Sequence, residues 1–151
     1  LLRGEEQRRA RVMAGRAVLW EEFLERRLAS GVPLALREGP REILLHGHCH
    51  QKSMGLLAPA KALLARIPGA TVADPDAGCC GLAGSFGYGK ENYEVSCAIA
   101  ARKLLPAARA LAPGAVLVAS GTSCRHQVDD LAGLHALHPA ELLAQLLDLP
   151  S

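Results

Sequence analysis

Apolar residues recur at three- and four-residue steps between Glu5 and Ser30. Val12, Leu19, Trp20, Phe23, Leu24 and Leu28 make one stripe, and Arg and Glu fill the opposite face. The spacing predicts a single amphipathic helix, stopped at Gly31-Val32-Pro33. A polar connector, Arg37-Glu38-Gly39-Pro40, follows, and the period then changes.

Glu42 to His46 is a short apolar run of strand length, Pro59 to Ile67 a helix ended by Pro68-Gly69, and Thr71 to Ala73 a second short strand. A long helical pattern from Glu91 to Leu111 closes at Pro113-Gly114. Ala115 to Ala119 is the clearest strand, continuously apolar and containing Val116 and Val118. A weak fourth strand is expected at Leu134 to Leu137, and a helix opening at Pro139 through Leu147. Strands alternating with helices predict an α/β fold: a small parallel sheet of about four strands, flanked by helices and preceded by the amphipathic helix. The expected units are residues 1–36, a helix and connector, and residues 41–151, a cysteine-rich α/β domain.

Composition narrows the class. With 151 residues the chain can bury a core without disulfide staples, and its apolar stock is Ala, Leu and Val rather than aromatics. A net charge of +2, with no basic stripe interleaved with aromatics, argues against nucleic acid and acidic membrane surfaces. No apolar run has the roughly 20 residues of a transmembrane span. The start, Leu1 to Glu6, lacks a cleavable hydrophobic segment and does not begin with Met, so the chain reads as a piece of something longer. The compartment is read as reducing: cytoplasmic, or at the inner face of the membrane through partners.

Five cysteines in such a setting point to metal or redox chemistry rather than to a disulfide framework. Cys49 follows the first strand, Cys79-Cys80 the second between Gly78 and Gly81, and Cys124 the third. In an open α/β sheet the carboxyl ends of parallel strands form one rim, where ligands bind. The topology therefore predicts that four thiols distant in sequence meet on one edge. Thiolates suit zinc and iron–sulfur clusters, and four complete either kind of site. Two adjacent cysteines on one zinc close a small, awkward chelate ring, whereas two irons of one cluster take them without that strain. Cluster is favoured; a structural zinc domain that docks partners and a thiol–disulfide module using Cys79 and Cys80 remain open.

Cys97, in mid-helix among Val95, Ala98 and Ile99, reads as core packing. His46, His48 and His50 alternate around Cys49 and cannot all face one side; one of them, His50 foremost, is a candidate partner of the metal site. Arg125 would set positive charge beside a negative cluster. His126 and His138 fall near the same rim, and His135 reads as structural. Gly81 to Gly89 lacks the Lys-Ser/Thr of a P-loop, and its glycines suit backbone wrapped closely round a bulky group. No residue stands out as an acid, base or nucleophile for substrate chemistry.

At Gly78-Cys79-Cys80-Gly81, with Cys49 before and Cys124 after, the sequence resembles the cysteine-rich CCG domain family, which includes the cysteine-rich component of heterodisulfide reductase and the glycolate oxidase iron–sulfur subunit. Gly78 to Tyr88 and Gly121 to Gln127 look most like the C-terminal domain of fusion proteins joining an FAD-linked 2-hydroxy-acid oxidase or dehydrogenase to iron–sulfur modules. The resemblance covers Ile43 to Leu147. It implies cluster ligands at Cys49, Cys79, Cys80 and Cys124, with Gly81 and Gln127 beside them. It also implies a flavin domain or subunit and further iron–sulfur modules as partners, and a substrate such as glycolate or lactate. The family pattern often ends Cys-x-x-Cys; here the last position is Gln127, so the resemblance implies an ordinary four-iron cluster, or a single zinc, in place of a non-cubane double cluster.

Overall fold

The computed structural model describes residues 1–148; the last three residues of the expected 41–151 unit lie outside the described residues. Three parallel strands form the sheet, β1 (Glu42–His46), β2 (Thr71–Ala73) and β3 (Val116–Ala119), in the order β2-β1-β3. The register pairs Ile43 with Val72 on one side, and Ile43 with Val116 and His46 with Ala119 on the other.

Alternation along these strands divides the core in two. Ile43, Leu45 and Val118 face one layer, where they pack with Leu28, Leu63, Leu64, Ile67, Leu142 and Leu143. Leu44, Leu117 and Ala119 face the other, with Cys80, Leu82, Leu104, Ala108, Cys124 and Val128. Successive side chains point to opposite faces, so strands covered on both sides are apolar throughout.

The first layer is built from α2 (Trp20–Ala29), α4 (Leu57–Leu64) and α8 (Pro139–Leu146). The second is built from α6 (Leu104–Arg109) and α7 (Thr122–Ala132), with α5 (Tyr93–Arg102) against α6. Pro139 opens α8 inside a capping box: Ala140 N–H donates to His138 Nδ1 at 3.1 Å, and His138 N–H to Glu141 Oε2 at 2.6 Å.

Four features depart from the sequence reading. The predicted first helix is two: α1 (Gly4–Ala14) and α2, separated by residues 15–19. Gly15, about 1 kcal/mol poorer in a helix than Ala, follows α1, which buries none of its residues. Only α2 finds a partner: Leu24 and Leu28 pack on the sheet's first layer, while Val12 and Phe23 stay exposed. Helix 91–111 is likewise broken at Lys103 into α5 and α6. Pro106 accounts for it, because in a continuous helix its ring would meet the carbonyl of Arg102, whereas the first turn of α6 tolerates it.

The fourth strand reduces to one parallel bridge, Val118 with Leu137, so the sheet has three strands. Between Gly133, left-handed at the end of α7, and Pro139, which opens α8, Leu137 forms this bridge, exchanging backbone hydrogen bonds with Leu117 and Ala119 at 2.9 Å each. A short helix that the sequence reading lacked, α3 (Cys49–Ser53), starts at the first cysteine. Among the described residues no helix is long and apolar enough to cross a membrane.

Candidate metal centre

Each rim cysteine lies on the segment or helix that follows a strand's carboxyl end. Cys49 is the first residue of α3, three residues after the end of β1, and is exposed. Cys124 lies in the first turn of α7 and is buried. Cys79 and the buried Cys80 lie on the long segment between β2 and α5.

That segment is held from several sides. Lys52 Nζ stands 3.6 Å from Asp74 Oδ1, and Lys103 Nζ donates to the Asp76 carbonyl at 3.1 Å. Leu82 is buried in the second core layer. Gly81, at φ +104°, brings the backbone against Ser96, where any side chain would overlap the Ser96 carbonyl. Gln127, 3% exposed, donates its amide to Ser96 Oγ at 3.0 Å and to the Ser96 carbonyl at 3.3 Å.

The thiols act on one another. The Cys124 side chain holds the Cys80 thiol well below the usual thiol range, against its burial. The neighbouring His46 ring and the Leu82 N–H act in the same sense. Cys124 is correspondingly pushed up, by its interaction with the Cys80 side chain first, then by burial and by the charges of Cys80, Cys49 and Cys79. Burial raises Cys79 as well, partly offset by the Gly81 N–H, 3.3 Å from its sulfur. Cys49, Cys79, Cys80 and Cys124 are therefore within electrostatic reach of one another, from three strand ends. Among the described residues, no three His, Cys, Asp or Glu side chains are grouped so as to hold a single metal ion.

Other residues singled out in the sequence take varied places. Arg125 donates to the carbonyls of Ala119 at 2.9 Å and Ser120 at 3.0 Å, closing the end of β3. His50 is exposed and, with Trp20, His48, Gln51 and His138, lines a pocket of about 330 Å³ beside the rim. His126 bonds the Tyr88 hydroxyl at 3.1 Å, and His135 is exposed. Cys97, half-buried in mid-helix, neighbours Tyr93 instead of the four rim thiols. Sequence reasoning put His50 ahead of His46, yet His46 is the histidine buried at the end of β1 next to Cys80. Strand parity could have found it, since it lies two residues beyond Leu44 on the cysteine-bearing face.

No family model matches the chain, and no solved structure matches it. Among curated proteins, the anaerobic glycerol-3-phosphate dehydrogenase of Escherichia coli (strain K12) has a subunit, designated C, that is 38% identical over 127 residues, covering 83% of this chain and 31% of its own length. The D-2-hydroxyglutarate dehydrogenase of the same strain is 35% identical over 109 residues, which is 67% of this chain and 10% of the enzyme. Its counterpart from Pantoea ananatis (strain AJ13355) is 33% identical over 105 residues, 68% of this chain and 10% of that protein. The chain thus spans a third or less of the curated relatives it matches, and is homologous to part of a dehydrogenase subunit and to part of much longer dehydrogenases.

Proposed function

We propose that this chain is an electron-transfer part of an oxidoreductase, holding a four-iron iron–sulfur cluster on Cys49, Cys79, Cys80 and Cys124. The observation that carries the reading is the mutual influence of four thiols delivered by three different strand ends. The donor set fits such a group. It is all sulfur, which soft metals prefer. Its thiols also have backbone N–H donors in place, Gly81 and Ala83 at Cys79 and Leu82 at Cys80, of the kind that stabilise thiolate and cluster sulfurs.

The cluster, when bound, would supply one-electron transfer at a potential set by burial and hydrogen bonds to sulfur. The chain's own residues hold and shield it. Leu82, Val128 and Ala119 form an apolar floor, and the closed Gly81–Ser96–Gln127 contact fixes the vicinal cysteines. A cluster suits this arrangement better than one zinc ion: thiolates on different irons can stand apart, whereas a single ion draws all four sulfurs to about 2.3 Å.

On this reading the electrons come from a flavin on another domain or subunit, where a small 2-hydroxy acid such as glycolate or lactate is oxidised, and leave through further iron–sulfur modules. The similarity to parts of glycerol-3-phosphate and D-2-hydroxyglutarate dehydrogenases supports that setting. Residues 41–151 would be the cysteine-rich unit, with FAD outside the chain.

Anaerobic purification followed by absorption and EPR spectroscopy, with iron and acid-labile sulfide analysis, tests the proposal. A brown sample with about four irons per chain is expected. Stoichiometric zinc in colourless protein, or a metal-free chain whose Cys79–Cys80 bond cycles with reductant, overturns it. Cys124→Ser should lose most of the iron and Cys97→Ser none.

A further inference from the structure

His46 is the last residue of the central strand and is 1% exposed. Among the described residues, neither of its ring nitrogens has a hydrogen-bond partner. A polar group removed from water without a partner costs about 1–3 kcal/mol, so such an orphan calls for an explanation.

Strand geometry fixes where the ring lies. Leu44 packs in the same layer as Cys80, Ala119 and Cys124. His46 is two residues further along β1, hence on the same face, and its partner across the sheet is Ala119. The imidazole therefore sits beneath the rim where the thiols meet, beside the Cys80 sulfur but without the alignment of a hydrogen bond. A neutral imidazole always carries one N–H, whichever tautomer it adopts. Four thiolates already complete the ligand set of a four-iron cluster, so the ring is not required as a ligand.

We propose that His46 donates a hydrogen bond to the Cys80 sulfur when that sulfur is bound to iron, and thereby raises the cluster's reduction potential. The inference rests on the reading that the four cysteines hold an iron–sulfur cluster. An N–H aimed at a metal-bound thiolate stabilises the reduced, more negative state more than the oxidised one, and in a buried site little solvent screens it.

The test compares the anaerobically prepared full chain with His46→Leu and His46→Gln, by iron and sulfide content and by EPR-monitored redox titration at one pH. Leu removes the N–H at similar bulk; Gln restores a donor. The expected result is unchanged iron and sulfide content, a more negative midpoint for His46→Leu, and an intermediate midpoint for His46→Gln. A loaded His46→Leu with the wild-type midpoint overturns the inference and leaves the cluster reading standing. A wild-type chain without a cluster overturns both. Should the variants fail to fold, pulsed EPR of the wild-type cluster with ¹⁵N-histidine decides. A weak coupling through a hydrogen bond supports the inference; no coupling, or the strong coupling of a direct iron–nitrogen bond, overturns it.

Discussion

The α-carbon of Gly81 faces the carbonyl oxygen of Ser96 so closely that no β-carbon fits between them. With φ at +104°, the position is also strained for any L side chain. Gly81→Ala is therefore expected to cost about 1–3 kcal/mol from backbone strain and a similar amount from overpacking, with a lower iron content. Gly84→Ala, also at positive φ but in open space, should cost only about 1–2 kcal/mol. Denaturant unfolding of the two variants measures the difference, and equal losses would contradict the packing account.

Gln127 occupies the place where the resembled pattern has a further cysteine, and it is spent on Ser96. Gln127→Met keeps the volume and deletes both hydrogen bonds, leaving the buried Ser96 hydroxyl without this donor. A loss of about 1–3 kcal/mol is expected, with iron retained. Loss of iron without loss of stability would instead make Gln127 part of the metal site.

Helix α2 is tied to the end of α4 by a bidentate pair, Arg66 Nε to Glu25 Oε2 at 2.6 Å and Arg66 Nη2 to Glu25 Oε1 at 2.8 Å. The hydrogen bonds from Arg66 hold the Glu25 carboxyl below its usual range, against the opposing effect of burial. A depressed folded-state value means the stabilisation is present above the unfolded carboxylate range and is lost as pH falls through the folded value. Arg66→Met should lower stability slightly at pH 7, because an exposed pair is screened by solvent. The gap to wild type should close as acid protonates Glu25; a gap that persists in acid would mean the Arg66 stem, not its charge, carries the effect.

Helix α1 buries none of its residues. Removing residues 1–14 should change the unfolding free energy by no more than about 0.5 kcal/mol. Thermal unfolding of the shortened chain checks this, and a larger loss would reveal packing by α1 on the domain.

Much of the architecture was legible because its signals are local. The apolar run Glu42 to His46 and the Val-rich run 115–119 are strands because both faces are covered, and Pro139 with Glu141 announces a helix start. The misjudged places are those where periodicity persists through a backbone break. Gly15 interrupts a stripe that runs on from Val12 to Leu19, and Pro106 interrupts one that runs on to Leu111. The stripe records which residues are apolar, not whether one rigid rod can carry them all to a core.

The sequence by itself determined the chemistry available here: four thiols, each just after a strand, with glycines on either side of the vicinal pair. Spacing along the chain carries that much because parallel strands must end on a common rim. Only the tertiary structure decided which side chains share that space. It brought Cys124 beside Cys80, turned Gln127 onto Ser96 and Arg125 onto the end of β3, and buried His46 while exposing His50. Those choices depend on strand register, helix rotation and burial, and no one of them is encoded within a few neighbouring residues.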